Sequence, residues 1–177
     1  KESYCATKEP DREFRDMIRA LHKAGIECLM EMYFPKGTPS LQMIRSLWFW
    51  KLYYHVDGFH LLGDGVQQDV IEQDPILYGT KKLFSNVSGE ADAENMLAEY
   101  NAGFKQDMRR FLKSDEGMIS GAEFHVRRNT GSFGTINYMA NQDGFTLYDT
   151  VAYNYRHNEA NGEDNRDGSE FNYSWNC

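Results

Sequence analysis

The stretch EFRDMIRALHKAGIECLMEMYF, residues 13–34, contains the pattern that decides the fold class. In its first half, apolar residues recur at helical spacing, at Phe14, Met17, Ile18, Leu21 and Ala24. Gly25 suits the left-handed position that ends a helix, and residues 26–34 form a mostly apolar run of strand length. A helix followed at once by a strand predicts an α/β unit.

The same alternation continues along the chain. Thr38 and Pro39 are placed as the N-cap and first residue of a second helix, with an apolar stripe at Leu41, Ile44, Leu47 and Trp48. The pattern then predicts a strand at 56–62, a helix at 67–72, a strand at 82–86, a helix at 104–113, a strand at 135–140 and a helix from Leu147. Helices and strands in alternation predict a parallel sheet with crossover helices.

Composition and charge exclude several classes of protein. The 177 residues include 41% apolar and 14% aromatic side chains, which is enough for one ordinary core. A formal net charge of -8 and a pI near 5.1 argue against a nucleic-acid or anionic-membrane partner, because both need a concentrated basic face. A neutral polymer such as an α-glucan remains compatible with this charge.

The cysteines and the apolar runs bear on the cellular compartment. Three cysteines, Cys5, Cys28 and Cys177, leave an odd thiol under any pairing, which favours a reducing, cytoplasmic compartment. No apolar run approaches the roughly 18 residues of a membrane span, and residues 1–20 are too charged for a signal peptide. The first residue is not methionine, so we expect the chain to be a segment of something longer.

Three runs of sequence carry a family resemblance. They are VDGFH at 56–60, NQDGFTL at 141–147, and above all HNEANGEDNRDG at 157–168 followed by SWNC at 174–177. They resemble glycoside hydrolase family 13, the α-amylase superfamily, and within it the isoamylase and bacterial glycogen-debranching enzymes. The helix at 13–24 with the strand after it also resembles the second helix and third strand of that family.

The resemblance implies a (β/α)8 barrel of the TIM type. Because such a barrel needs about 250 residues, we expect an incomplete segment here, about strands 3 to 7 with their helices. Residues 1–177 are then one partial catalytic-barrel domain, with βα units at 1–154 and a polar, family-specific loop at 155–177. The linker after Phe34 is short, where the family usually has a long excursion that forms part of the substrate cleft.

The resemblance also implies catalytic positions, and most of them hold residues that cannot catalyse. The family's aspartate nucleophile corresponds to Leu62 and its glutamate acid/base to Asn86, and neither side chain has a carboxyl group. Asp143 retains the second aspartate, which grips sugar hydroxyls. Retaining chemistry needs two carboxyl groups about 5 Å apart, one ionised and one protonated. The resemblance therefore implies a weak or inactive hydrolase.

The remaining site residues are predicted from the same positions. His60 replaces the family's arginine and Gln142 its histidine, and with Asp57 they are the predicted substrate-binding residues. Asp64 and Glu90 are the nearby carboxylates that would have to substitute in an active enzyme. For Asp64 the shift of two residues displaces a side chain by ~6 Å along an extended strand. Pro35 and Lys36 replace the family's asparagine and histidine after the third strand.

Three functions therefore remain open. The favoured one is a debranching-type protein of glycogen or starch metabolism, related to hydrolases of α-1,6 branch points but weak or inactive, which binds glucan or assists a partner subunit in a homo- or hetero-oligomer. The second is an active hydrolase with shifted carboxylates, and the third is a fragment with no function of its own. No cofactor and no metal is predicted, because the five histidines form no ligand pair and the acidic tail lacks the spacing of a calcium loop.

Overall fold

A computed structural model of the chain describes residues 5–89, 93–128 and 130–177. The strands of this part of the chain are β1 (Leu29–Tyr33), β2 (Gly58–Leu62), β3 (Lys81–Phe84), β4 (Leu97–Asn101) and β5 (Gly134–Asn137). Its α-helices are α1 (Pro10–Lys23), α2 (Ser40–Trp48), α3 (Gln68–Glu72), α4 (Ala102–Leu112), α5 (Ile119–Arg127) and α6 (Leu147–Ala152). A π-helical turn, Phe49–Tyr53, extends α2, and short 3-10 turns lie at Ala93–Asn95 and Glu159–Asn161.

The five strands form one sheet in the order β1-β2-β3-β4-β5, and β1 to β4 pair in parallel. Strand order therefore equals chain order, as in a barrel, whereas a doubly wound sheet reverses direction at a switch point. The predicted fold class, an α/β segment of a TIM-type barrel, is confirmed.

The chain divides into two compact units. One contains the residues up to Glu99 together with Gly131–Gly134, and the other contains Tyr100–Thr130 and Thr135–Cys177. The core of the first unit forms where Phe59 and Leu61 of β2, both almost fully buried, pack with helix residues. These include Ile18 of α1, Met43 and Leu47 of α2, and Ile71 of α3. All four residues from Gly58 to Leu61 are buried, as expected for a strand covered on both faces.

The first helix ends as predicted, but the strand after it begins later. Gly25 adopts φ +73°, and the N–H of Ile26 donates to Leu21 O at 2.9 Å, which caps the last turn of α1. Because Ile26 serves this cap, it is exposed, and β1 starts only at Leu29.

The start of the second helix was predicted one residue too early. Pro39, in an extended conformation, is the N-cap of α2, while the Thr38 hydroxyl donates to Pro35 O at 2.7 Å within the preceding turn. The predicted stripe was also wrong at Leu41, which is exposed, because Met43 occupies the core position instead.

Strand β4 and helix α5 were missed by the sequence prediction. In β4 the buried positions are Leu97, Glu99 and Asn101, so two polar residues hide the apolar alternation. In α5 the large apolar residues Ile119, Phe124 and Val126 are exposed, while Ala122 and His125 are buried. The apolar residues of β4 do not alternate as expected for a strand, and those of α5 do not mark its buried face. Tertiary contacts determine which side chains are buried in both segments.

A lysine lies inside the core of the first unit. Lys82 in β3 is fully buried, and its Nζ donates to Leu77 O at 2.8 Å. Burial lowers the pKa of Lys82 from its ordinary value of 10.5 to about 8, because the charged amine loses its hydration. At neutral pH, protonation of this buried amine therefore lowers the free energy of unfolding of the first unit.

We expect the free energy of unfolding of the wild type, relative to that of Lys82→Met, to increase as the pH rises. Between pH 8 and 10.5 the unfolded chain holds a proton on Lys82 that the folded protein has lost, so unfolding becomes less favourable. Relative to the variant, the free energy of unfolding of the wild type should rise by about 2 kcal/mol between pH 7.5 and pH 10. Urea unfolding of both proteins measures this difference, and a difference that does not change with pH would contradict it.

Candidate functional site

The carboxyl ends of β2 and β3 lie side by side in the first unit. The two strands pair from Gly58 with Lys81 to Leu61 with Phe84, so the residues that follow them emerge at one level of the sheet. A cavity of about 570 Å³ opens there, which we call the carboxyl-end cleft. Its polar lining includes Asp64, Gln67, Gln68, Asp69, Ser85 and Asn86.

Two glycines hold the loop that carries Asp64. Gly63 has φ +99°, and a Cβ there would lie 2.3 Å from Phe34 O. A Cβ on Gly65 would lie 2.0 Å from Pro35 O, and the Gly65 N–H donates to Phe34 O at 2.9 Å. The loop therefore passes tightly against the end of β1, and only glycine fits at both positions.

The residues at the predicted catalytic positions lie at this end of the sheet. Leu62 is the last residue of β2 and is half-buried. Asn86 is exposed in the bend after β3 and shares the cleft with Asp64. Asp69, in the first turn of α3, lines the same cleft and was not predicted from the sequence. The sequence gives little indication of a functional role for Asp69, because acidic residues are common in the first turn of a helix.

The predicted substitute Glu90 lies outside the described residues. Pro35 and Lys36 follow β1 and are both exposed.

His60 is buried in the middle of β2 and contacts a neighbouring strand. Its register partner is Glu31 of β1, and the His60 Nδ1 lies 2.9 Å from the Glu31 carboxylate. Glu31 was not predicted as a site residue, because its pairing with His60 depends on the register between β1 and β2.

Asp57 lies at the other end of β2, just before Gly58. Its carboxylate accepts the Cys28 N–H at 2.7 Å and lies 2.9 Å from the His22 Nε2. Burial acts to raise the pKa of Asp57, but these two hydrogen bonds and the charges of His22 and Lys81 hold it below its usual range. Asp57 thus joins α1, β1 and β2 at the amino ends of the strands.

Gln142 and Asp143 are exposed in the second unit, in the turn that precedes α6. The turn is fixed by Asn172, whose Oδ1 accepts the Phe145 N–H at 3.0 Å while its Nδ2 donates to Ser169 O at 2.7 Å. Gly144 has φ +82°, and a Cβ there would meet the same Asn172 oxygen at 2.7 Å.

Arg109 of α4 ties the same turn to the rest of the second unit. Its buried guanidinium donates to three carbonyl oxygens, those of Met139, Phe145 and Asn172, at 2.8 to 3.1 Å. Burial lowers the pKa of Arg109 because the cation loses hydration. Five donors in a planar fork allow one arginine to join three segments in this way.

A lysine and a tyrosine lie within electrostatic reach of Asp143. Burial and the charge of Arg109 lower the pKa of Lys105, and the Asp143 carboxylate opposes that shift. Burial also raises the pKa of Tyr138, and Asp143 adds to this effect. The Tyr138 ring stacks on Tyr100 at 4.3 Å, and the Lys105 Nζ lies 5.5 Å from its centroid.

Within the described ranges, no group of three or more His, Cys, Asp or Glu residues is arranged to hold a metal ion. In the same ranges, no helix combines the length and apolar character needed to cross a membrane.

The sheet and its carboxyl-end cleft thus define a segment of a parallel α/β barrel with a polar site at the strand ends, and curated relatives resemble the chain over most of its length. Isoamylase SU1, chloroplastic, from Zea mays is 34% identical over 93% of this chain and 33% of its own length. The glycogen debranching enzyme of Dickeya chrysanthemi is 28% identical over 98% of this chain and 37% of its own. The glycogen operon protein GlgX homolog of Haemophilus influenzae is 26% identical over the same shares, 98% and 37%. No protein-family model matches the chain.

The chain is similar over most of its length to isoamylase and bacterial glycogen-debranching proteins, and the predicted resemblance is confirmed. It spans about a third of the length of these relatives. The alignments extend over 246 to 258 positions although the chain has 177 residues, so the relatives contain insertions of tens of residues that it lacks. A short linker after Phe34 accords with this difference.

We expect Asn172→Ala to destabilise the second unit. The change leaves the buried Phe145 N–H without its acceptor and removes a second hydrogen bond, to Ser169, at a cost of about 2 kcal/mol. Asn176→Ala is the matched control, because Asn176 is exposed and near the same end of the chain. Chemical unfolding of the three proteins tests this, and equal stability of Asn172→Ala and wild type would refute the role of Asn172.

Proposed function

We propose that this chain forms the glucan-binding wall of a debranching-type barrel and that it binds α-glucan, such as glycogen or starch, without hydrolysing it. The observation that carries the proposal is the carboxyl-end cleft. The Ser85 hydroxyl and the Asn86 amide are suited to hydrogen bonds with sugar hydroxyl groups. The amides of Gln67 and Gln68 also line the cleft and are held by hydrogen bonds within the fold. Barrel enzymes bind their substrates at this end of the strands.

The residues that end β2 and follow β3 support the lack of hydrolysis. Leu62 ends β2 with an apolar side chain. In β3, Leu83 pairs with His60. Two residues further along both strands, the same register places Ser85 opposite Leu62, and Asn86 follows Ser85. Neither Ser85 nor Asn86 has a carboxyl group, so the acid/base role fails with either residue.

In the second unit, considered by itself, Asp143 and Gln142 have a proposed binding role. Asp143 is proposed to hold sugar hydroxyls, as the resemblance implies, and Gln142 to add an amide hydrogen bond. The fixed turn around Gly144 and Asn172 supports this role, because a binding group held by its neighbours loses less entropy on binding.

A hydrolase with shifted carboxylates is the second candidate. It is favoured by one observation, that Asp64 and Asp69 line the same cleft. Against it, both residues are exposed, whereas a catalytic acid is kept protonated by an apolar or like-charged setting.

Two further features support the proposed cellular compartment and the proposed assembly of the protein. Cys28 and Cys177 are free thiols, as suits a reducing, cytoplasmic compartment. Strand β1 lies at the edge of the sheet, and an open edge favours assembly with further strands, in an oligomer or with a partner subunit.

We expect glycogen to retard the purified protein in a native gel, with no linear chains released from glycogen or pullulan. Asn86→Ala should weaken glycogen binding about fivefold, because it removes a hydrogen-bonding amide from the cleft. Asn176→Ala, which makes the same change outside the cleft, should bind as the wild type does.

Hydrolysis is the outcome that decides between the two candidates. Release of linear chains that is lost on Asp64→Asn or Asp69→Asn would establish the shifted-carboxylate hydrolase. Absence of both binding and hydrolysis would overturn the glucan-binding role.

A further inference from the structure

A second cavity opens in the first unit at the amino ends of β2 and β3. It has a volume of about 460 Å³, and we call it the amino-end cavity. Basic side chains reach it from separate parts of the fold: His22 from α1, Lys51 from the π-helical turn, His55 from the loop before β2, and Lys81 from the start of β3. Two acidic residues, Glu27 and Asp57, also line it.

Both acidic residues are already engaged with a basic neighbour. Glu27 forms an ion pair with Lys81, and Asp57 contacts His22 at 2.9 Å. In the part of the chain that the structure describes, the side chains of Lys51 and His55 make no hydrogen bond or ion pair. The two lysines and the two carboxylates of the cavity balance in formal charge, and Lys51 and His55 are the basic side chains that neither carboxylate engages.

The backbone around the cavity is held in an uncommon conformation. His55 has φ +60° and Met96 has φ +52°, and both residues line the cavity with Gly79, whose φ is +68°. Left-handed backbone is unfavourable for residues other than glycine, and such strain tends to gather at ligand sites. The His55 N–H donates to Lys51 O at 3.1 Å, so the two basic residues are fixed relative to each other by the end of the π-helical turn.

The basic residues of the cavity affect the titration of neighbouring groups. Burial is the main cause of the lowered pKa of Lys82, and the charge of Lys51 lowers it further. Lys81 and His22 in turn help to hold the pKa of Asp57 below its usual range, against the effect of burial. An anion beside Lys51 would offset the repulsion between Lys51 and Lys82.

We propose that the amino-end cavity binds a phosphate group between Lys51 and His55, either as inorganic phosphate or as part of a phosphorylated sugar. Lysine ammonium and imidazole groups are both donors to phosphate oxygens, and charge-assisted hydrogen bonds of this kind are strong. The volume falls within the range of small-ligand sites, so a monosaccharide has room beside the phosphate. The site is separate from the carboxyl-end cleft, which lies at the opposite ends of the same strands.

The test is a calorimetric titration of the purified protein with inorganic phosphate at constant ionic strength, and in a second arm with glucose 6-phosphate. Saturable binding of one phosphate group per chain is expected, and tighter binding of glucose 6-phosphate would identify a sugar phosphate as the ligand. Lys51→Met should weaken binding about tenfold, the loss expected for one charge-assisted hydrogen bond. His55→Asn should weaken it too, while asparagine tolerates the left-handed backbone.

Lys36→Met is the matched control. It removes the same charge from an exposed lysine that follows β1, at the opposite end of the sheet, and should leave phosphate binding within twofold of the wild type. Circular dichroism of each variant establishes that it is folded. The proposal is overturned if the wild type shows no saturable binding of either ligand, or if Lys36→Met loses as much affinity as folded Lys51→Met and His55→Asn.

Discussion

The parallel pairing of β2 with β3 is the constraint on which both sites depend. Hydrogen bonds along Gly58–Leu61 and Lys81–Phe84 fix the two strands in register, so their carboxyl ends meet at one level and their amino ends at another. The burial of Phe59 and Leu61 against α2 and α3 holds this register, because a slip by one residue would turn the apolar side chains away from the core. What each end of the strands can bind is then set by the residues placed just before and just after them.

The two ends present different chemistry. After β2 and β3 come a loop with Asp64 and a bend with Ser85 and Asn86, which together form a cleft of amides, hydroxyls and exposed carboxylates. Before them come Lys51, His55 and Lys81, which make the other end basic. Two carboxylates, Glu27 and Asp57, lie among these basic residues, in a chain whose net charge is -8. In the relatives this segment corresponds to about a third of a longer chain.

The sequence predicts a helix or strand correctly where the apolar residues recur at the spacing of that element. The spacing of Phe14, Ile18 and Leu21 predicts α1, and the apolar run that ends at Leu62 predicts β2. Strand β4 could not be found in this way, because its buried positions include Glu99 and Asn101. For the sites, the family resemblance pointed to Asp64 and Asn86, which the structure brings to one cleft. Asp69, Glu31 and the basic residues around His55 depend on strand register and on backbone conformation, which a sequence pattern does not report.

The central claim is that the carboxyl-end cleft holds a glucan and leaves its bonds intact. The most direct measurement is a crystal structure of the protein soaked with a branched malto-oligosaccharide. We expect unbroken sugar rings in the cleft, with hydroxyl groups within hydrogen-bonding distance of Asp64 and Asn86. Cleaved product in the cleft, or sugar bound elsewhere with the cleft empty, would contradict it.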